Sequence, residues 1–412
     1  MDQLQLFEQV EKVDAKLPEA DFINGLVTFK EFGKETEVVL RNETSYFINE
    51  YWTSGQRQSH SIHEISYRAC FKAQLPEFFI NRLTSPGDAV HDPFMGRGTT
   101  PVQAALMGRQ AFGNDINPLS LLLTRPRLQP ISQKEIDETL LRLSINPKND
   151  VTEELFAFYH PETLASLEGL KDLLLNLAPL SDLHPDPVID WIRMVSINRL
   201  SGHSPGFFSG RSMPPNQAVS IKAQLKINEK LGLSPPARDI KKIIGKKSKS
   251  LLRDGCIIRD TKSRLFVGSA WNTNGIEDGS VKLVVTSPPF LDIVQYAADN
   301  WLRCWFAGID PEQVKVSMHK KTEEWTEMVH SVLSEMSRIL CSGGHVAFEV
   351  GEVRNKSVFL EDLVLEAVNG LPFEKLGVMV NQQDFTKTAN CWGVDNGSKG
   401  TNTNRIVLLR RH

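Results

Sequence analysis

The chain alternates short apolar runs with longer stretches of helical periodicity. In Val281-Lys-Leu-Val-Val-Thr286, Lys282 is the one charged residue of an apolar run, which predicts a strand buried on both faces of a parallel sheet. Asp88-Ala-Val-His-Asp92 predicts a short strand, followed by a glycine-rich turn and a helix over residues 101–107, and Ala111-Phe-Gly-Asn-Asp115 predicts the next strand. Residues 264–271 resume the sheet, and Ser342-Gly-Gly-His-Val-Ala-Phe-Glu-Val-Gly351 reads as a glycine turn leading into another central strand. Elsewhere apolar residues fall at helical spacing: Leu75, Phe78, Phe79 and Leu83 mark one helix, residues 132–143 and 161–177 two more, and Val188, Trp191, Ile192 and Val195 one buried face of a fourth. Residues 296–306 predict an aromatic-faced helix, with Trp301 and Trp305 toward the core and Tyr296 and Asn300 toward a pocket. Strands alternating with helices in this way predict an α/β fold around a mostly parallel, Rossmann-like sheet.

Two strand ends carry chemistry. Pro288 and Pro289 stop the 281–286 strand, because neither has an N–H for the ladder and each holds the preceding residue extended. The result is a rigid loop at a strand's carboxyl end, where open α/β sheets bind ligands. It offers the Ser287 hydroxyl, main-chain carbonyls and the flat face of Phe290, a set that suits a flat, amine-bearing base. After Asp92, Gly96 and Gly98 let the backbone approach a ligand closely, and the helix that follows presents free N–H groups to an anion. Asp115 ends the next strand at the position that holds ribose hydroxyls in Rossmann-like sites; capping the helix at Asn117-Pro118 is its alternative role.

Thr286-Ser-Pro-Pro-Phe290 resembles the catalytic motif of the S-adenosylmethionine-dependent methyltransferases that modify exocyclic amino groups of DNA bases. Asp92-Pro-Phe-Met-Gly-Arg-Gly-Thr-Thr100 resembles the cofactor-binding first motif of the same family, and the resemblance covers roughly residues 61 to 120 and 264 to 410. It implies a Rossmann-like class I methyltransferase sheet closed by an antiparallel hairpin over residues 378–381 and 405–410. It also implies S-adenosylmethionine as cofactor, held by Asp92, Pro93, Phe94, Gly96, Gly98, Thr99, Thr100, Asp115, Asn117, Ser269 and Ala270. Tyr67, Phe71 and Lys72 are implied at the methionine end, Phe71 being equally suited to the core. This chain departs from the family at Arg97, where many relatives carry Ser, and at Ser269, where many carry Asp; Arg97 is suited to reach the cofactor carboxylate or a DNA phosphate.

The catalytic residues implied are Ser287, Pro288, Pro289 and Phe290. An amino group on a base ring is a poor nucleophile, since its lone pair is delocalised into the ring. Acceptors that draw its hydrogens out of the ring plane localise that pair and stabilise the positive charge growing on nitrogen. The Ser287 hydroxyl and the carbonyls of Ser287 and Pro288 are the candidates, with Phe290 stacked on the base. Ser at the head of this loop is typical of the family's cytosine enzymes, which implies methylation of the cytosine 4-amino group in DNA. The alternatives are adenine N6 in DNA, an RNA amino group, and a nucleic-acid-binding protein without catalysis, against which the intact Gly96, Gly98, Ser287 and both prolines speak.

Residues 121–261 read as an inserted target-recognition region between two parts of the catalytic domain, 61–120 and 262–412, with residues 1–60 a lead-in segment given no activity despite its aromatic cluster of Tyr46, Phe47, Tyr51 and Trp52. Within the insert, residues 200–217 are rich in Gly, Pro and Ser. With Arg199 they offer His203, Arg211, Asn216 and Gln217 to base edges. The run over residues 241–253 has no acidic residue, so Lys246, Lys247 and Lys249 are the candidate phosphate contacts. A long polar loop over residues 386–404 joins the closing hairpin.

Composition changes this picture little. With 412 residues, 41% hydrophobic and 24% charged, the chain is an ordinary globular one, and its formal charge of −3 means that a grip on DNA must come from local patches. The five cysteines are scattered without a Cys-x-x-Cys pair, which predicts neither a disulfide framework nor a zinc site. None follows a proline, so the Pro-Cys nucleophile of ring-carbon cytosine methyltransferases is missing. The polar, acidic start and the lack of a long apolar run predict a cytoplasmic bacterial or phage protein that meets double-stranded DNA and no membrane or metal, acting alone or beside a restriction endonuclease.

Overall fold

The apolar runs become the centre of one nine-stranded sheet. The computed structural model describes residues 21–53, 59–68, 70–212, 217–257, 262–291, 296–314, 319–353, 358–382 and 403–412. A short helix α1 (Asp21–Val27) precedes the hairpin of β1 (Glu37–Arg41) and β2 (Thr44–Asn49), whose turn residues Asn42 and Glu43 both take positive φ, at 47° and 63°. This is the turn conformation whose twist matches that of paired strands. Helix α2 (Gln74–Leu83) leads to β3 (Ala89–Asp92), α3 (Thr99–Leu106), β4 (Gln110–Asp115) and α4 (Pro118–Thr124). The insert is helical, with α5 (Gln133–Arg142), α6 (Pro161–Leu177), α7 (Pro187–Arg199), α8 (Ile221–Leu231) and α9 (Ile240–Leu251). The chain then returns through β5 (Arg264–Val267), β6 (Val281–Thr286), α10 (Tyr296–Ala307), α11 (Thr322–Ile339) and β7 (Leu340–Val350). After the small β8 (Glu352–Val353) and β9 (Val358–Phe359) come α12 (Leu360–Ala367), β10 (Phe373–Gln382) and β11 (Thr403–Arg411).

Strand order across the large sheet is β1-β2-β10-β11-β7-β6-β3-β4-β5. Strands β5, β4, β3, β6 and β7 pair in parallel, and β11 lies antiparallel between β7 and β10. This is the Rossmann-like class I methyltransferase sheet, closed by the antiparallel hairpin that the resemblance implied. The lead-in segment has a structural role that its sequence did not reveal: β2 runs parallel to β10 and extends the sheet edge. Its aromatic cluster is core, with Tyr51 and Trp52 packed on Phe78 at ring-centroid distances of 5.5 and 5.8 Å.

One face of the sheet is covered by α2, α3, α10 and the insert's helices, so that Phe158, Trp191 and Ile244 share an apolar cluster with Val90, Ala111 and Leu283. The other face packs on α11 and α12 through Val284, Val346, Phe348, Val332 and Val364. Helix α7 corrects the expectation of a single apolar face. Every residue from Ile189 to Arg199 is buried, because neighbouring helices surround it, and Arg125 donates twice to the buried Asp190 carboxylate, at 2.7 and 2.9 Å. Asn216 and most of the 386–404 loop lie outside the described residues.

Candidate active site

The first motif folds as its glycines require. Gly96 and Gly98 take φ of 50° and 75°, and Gly98 caps α3. A Cβ on Gly98 would lie 2.2 Å from Thr124 Oγ1 at the end of α4, whereas one on Gly96 would meet nothing closer than the Tyr67 ring at 3.6 Å. Asp115 fastens this turn: its Oδ2 accepts from Gly96 N and its Oδ1 from Asn117 N, both at 2.9 Å. Burial raises its pKa, and these amides oppose the rise. The cap of α4 is Asn117, whose Oδ1 accepts from Leu119 N at 2.9 Å.

Asp92 does different work from the cofactor contact expected of it. It is fully buried behind the cleft, and its Oδ1 accepts from Phe94 N at 3.0 Å and from Thr286 Oγ1 at 2.6 Å. Thr100 Oγ1 donates to Val285 O at 3.1 Å. These bonds lock the glycine turn to the strand that carries the Ser-Pro-Pro-Phe loop. Burial pushes the Asp92 carboxyl up to about 7. Arg97 reaches inward. Its Nη1 donates to Ile65 O at 2.8 Å, its Nη2 to Phe71 O at 3.3 Å and its Nε to Thr99 Oγ1 at 3.2 Å, which clamps the 65–71 segment over the turn. Beneath it, the buried Arg127 donates to the carbonyls of Leu123, Ile62 and Arg97.

Trp325 Nε1 donates to Pro289 O at 2.9 Å and so fixes the Ser-Pro-Pro-Phe loop. Phe290 is half-buried against Gly351, where an added Cβ would sit 2.8 Å from its ring. Between the two motifs opens a cleft of about 720 Å³, mouth included. Tyr67, Pro93, Phe94, Gly96, Asp115, Asn117, Ser269, Ala270, Ser287 and Pro289 all line it. Phe71, Lys72, Asp92, Gly98, Thr99, Thr100, Pro288 and Phe290 are not among its walls. They brace it or lie beside it, since a tight turn presents only part of its length to one ligand. Gly268, ahead of Ser269, lines it too, as do Ile116 and Trp271, which carried no assignment from the sequence. Both adjoin residues that did, and Trp271, 42% exposed, had the signal of an aromatic beyond a strand's carboxyl end.

The recognition candidates divide. Arg199 is 9% exposed, with its guanidinium carbon 4.0 Å from the Phe207 ring centre and its Nη2 donating to Asn198 Oδ1 at 2.6 Å. Burial lowers its pKa to about 10. It supports the 200–212 loop from below, which corrects its assignment to base edges, while His203 and Arg211 are exposed on that loop. Asn300 is also buried and accepts from Arg303 Nη1 at 2.7 Å. Lys246 and Lys249 are exposed on α9, but the Lys247 side chain is only 11% exposed and its Nζ lies 3.8 Å from Glu64 Oε2. Burial, with Arg199 nearby, lowers the Lys247 pKa to about 8. The basic run lacks acids in sequence, yet folding brings one to it. Among the described residues no helix is long and apolar enough to cross a membrane, and no cluster of three or more His, Cys, Asp or Glu is placed to hold a metal.

Fold and cleft together make a Rossmann-like α/β sheet with a ligand cleft at the carboxyl ends of its parallel strands, for which the sequence resemblance implies S-adenosylmethionine as cofactor. The cleft fits that molecule: a carboxylate stands at the end of β4 for a ribose, the Gly96 backbone is open to close approach, apolar walls at Phe94, Ile116 and Trp271 suit an adenine ring, and Ser287 faces the same space. Sequence comparison narrows the class. Residues 8–122 match the family model N6_N4_Mtase, described as DNA methylase. The chain is 40% identical over 82 residues to the type II methyltransferase M.MjaII of Methanocaldococcus jannaschii, a stretch covering 20% of this chain and 15% of that protein. It is 23% identical over 389 residues to the type II methyltransferase M.BsoBI of Geobacillus stearothermophilus, covering 79% of this chain and 71% of the relative. Among solved structures, TrmN from Thermus thermophilus aligns at a TM-score of 0.33 and 11% identity over 84% of this chain and 50% of its own.

Proposed function

We propose that the protein is a DNA methyltransferase that moves the methyl group of S-adenosylmethionine to the 4-amino group of cytosine. The observation that carries this is the meeting of Ser287 with Gly96 and Asp115 in the walls of one cleft. The match to a DNA methylase family and the similarity to type II methyltransferases support DNA as substrate. They cover both amino positions, so cytosine rests on Ser287 as head of the loop. When bound, S-adenosylmethionine supplies an electrophilic methyl group. The chain's part is to seat it between the glycine turn and Asp115, to draw the amino hydrogens onto the Ser287 hydroxyl and the carbonyls of Ser287 and Pro288, and to keep that loop rigid through Trp325. Pro289 O is already engaged by the indole, which leaves the earlier acceptors for the base. A target base has to leave the duplex to reach this cleft, with Phe290 as its stacking face.

In this reading residues 121–261 recognise the target in double-stranded DNA, in a cytoplasmic restriction-modification setting. His203 and Arg211 read base edges, while Lys246 and Lys249 contact phosphates. Neutralising Lys246 and Lys249 together is expected to weaken binding to all sequences and to reduce the slope of log affinity against log salt by about 2. Neutralising Lys247 alone should leave the slope unchanged, because its charge is spent on Glu64. Equal effects of the two changes would remove this assignment. The function itself is tested by incubating the protein with labelled S-adenosylmethionine and duplex DNA or RNA, followed by nucleoside mass spectrometry. N4-methylcytosine in DNA is the expected product. Methyladenine alone, or cytosine methylated on ring carbon, would overturn the choice of base, and label in RNA alone would overturn the substrate.

A further inference from the structure

The proposed reaction releases a proton, and a buried carboxyl stands beside the hydroxyl that meets it first. Strands β6 and β7 pair in parallel with Thr286 opposite Phe348, so the residues that follow, Ser287 and Glu349, lie side by side at the carboxyl end of the sheet. Glu349 is 7% exposed, and its Oε1 accepts from Asn404 Nδ2 of β11 at 3.0 Å. The Ser287 hydroxyl, set beside it by that register, holds its pKa down. Arg405, the next residue on β11, pairs with Glu361 at 2.7 Å instead. Among the described residues Glu349 forms no ion pair. Burial raises its pKa, and Ser287 and Asn404 moderate the rise. A carboxylate buried without a countercharge is costly to keep and is characteristic of sites that move protons.

We infer that Glu349 accepts the proton released in methyl transfer, acting through Ser287. The inference rests on the amino-methyltransferase reading above. As the amine lone pair forms the N–C bond, the S–C bond breaks and its electron pair stays on sulfur, converting the sulfonium to a thioether. One N–H proton passes to Ser287 Oγ while the Ser287 hydroxyl proton passes to the Glu349 carboxylate, leaving a neutral carboxylic acid that loses its proton to solvent before the next turnover. Glu349 is thus a positioning and proton-accepting partner of Ser287, and a carboxyl with a raised pKa is better matched to the task than an ordinary one.

The test uses the full chain and compares Glu349→Gln, Glu349→Asp and Asn404→Asp with the wild type. Glu349→Gln keeps shape and hydrogen bonding but cannot take a proton. Its calorimetric affinity for S-adenosylmethionine and its affinity for target DNA should stay within about threefold, while its single-turnover rate should fall roughly 10²–10⁴-fold, the usual contribution of a general base. Glu349→Asp should recover part of the rate. The wild-type rate should decline as pH falls through the Glu349 pKa; Glu349→Gln should lack that acid limb, and Asn404→Asp should move it to higher pH by placing a like charge beside it. A Glu349→Gln rate near the wild-type value, an acid limb unmoved in Asn404→Asp, or losses of cofactor affinity and thermal stability that parallel the rate in both Glu349 variants would overturn the inference. If the wild type methylates no amino group, the functional reading fails instead, so the two failures are distinguishable.

Discussion

Ser287→Ala is expected to bind S-adenosylmethionine and DNA nearly as the wild type does and to turn over two to three orders of magnitude more slowly. The side chain forms part of the cleft wall and is half-buried, so removing one oxygen costs little packing. What is lost is an acceptor aimed at an amine whose charge appears only in the transition state. Removing a single group of that kind from a preorganised site costs about 10²–10³ in kcat, or roughly 2.7–4 kcal/mol. Loss of a contact made equally in ground and transition states would raise KM instead. Single-turnover rates beside calorimetric affinities separate the cases: a weakened KM with kcat preserved would make Ser287 a binding residue and sink its catalytic role.

Gly98→Val is expected to remove cofactor binding together with much of the stability, and to do so more severely than any change at Gly96. Both glycines sit at positive φ, where an L side chain costs about 1–2 kcal/mol. They differ in space. The new Cβ at Gly98 would press into Thr124, whose three nearest atoms lie 2.2 to 2.8 Å away, whereas at Gly96 the nearest atom is 3.6 Å away. Overpacking adds about 1–3 kcal/mol at Gly98, and the strain falls where α3 is capped and the turn approaches the ligand. Gly96→Ala should fold with a small loss of melting temperature and a clear loss of cofactor affinity, because Gly96 lines the cleft. Thr124→Ala should return part of the stability lost in Gly98→Val. Melting curves and calorimetry check both, and equal stability losses at the two glycines would refute the packing argument.

Where the structure departs from expectation, the cause is a partner that the local pattern of the sequence does not show. Arg97 was open to a cofactor or a phosphate, and the answer came from the carbonyls of Ile65 and Phe71. Lys247 belonged to an all-basic run until Glu64 came to meet it. Arg199, next to a polar loop, sits beneath that loop with its guanidinium on Phe207. Glu349 was one polar residue in a predicted strand, and only strand register sets it beside Ser287.

By itself the sequence determined the strand, turn and helix units and the chemistry at their ends. The constraints there are local: proline stops a ladder, glycine permits positive φ, and apolar period tells a buried strand from a helix. Tertiary structure alone decided which long side chains remain free to act. A guanidinium or ammonium takes whichever carbonyl, ring or carboxylate folding brings within reach; for Arg97 and Lys247 those partners come from segments distant in sequence, while for Arg199 the following loop folds back over it.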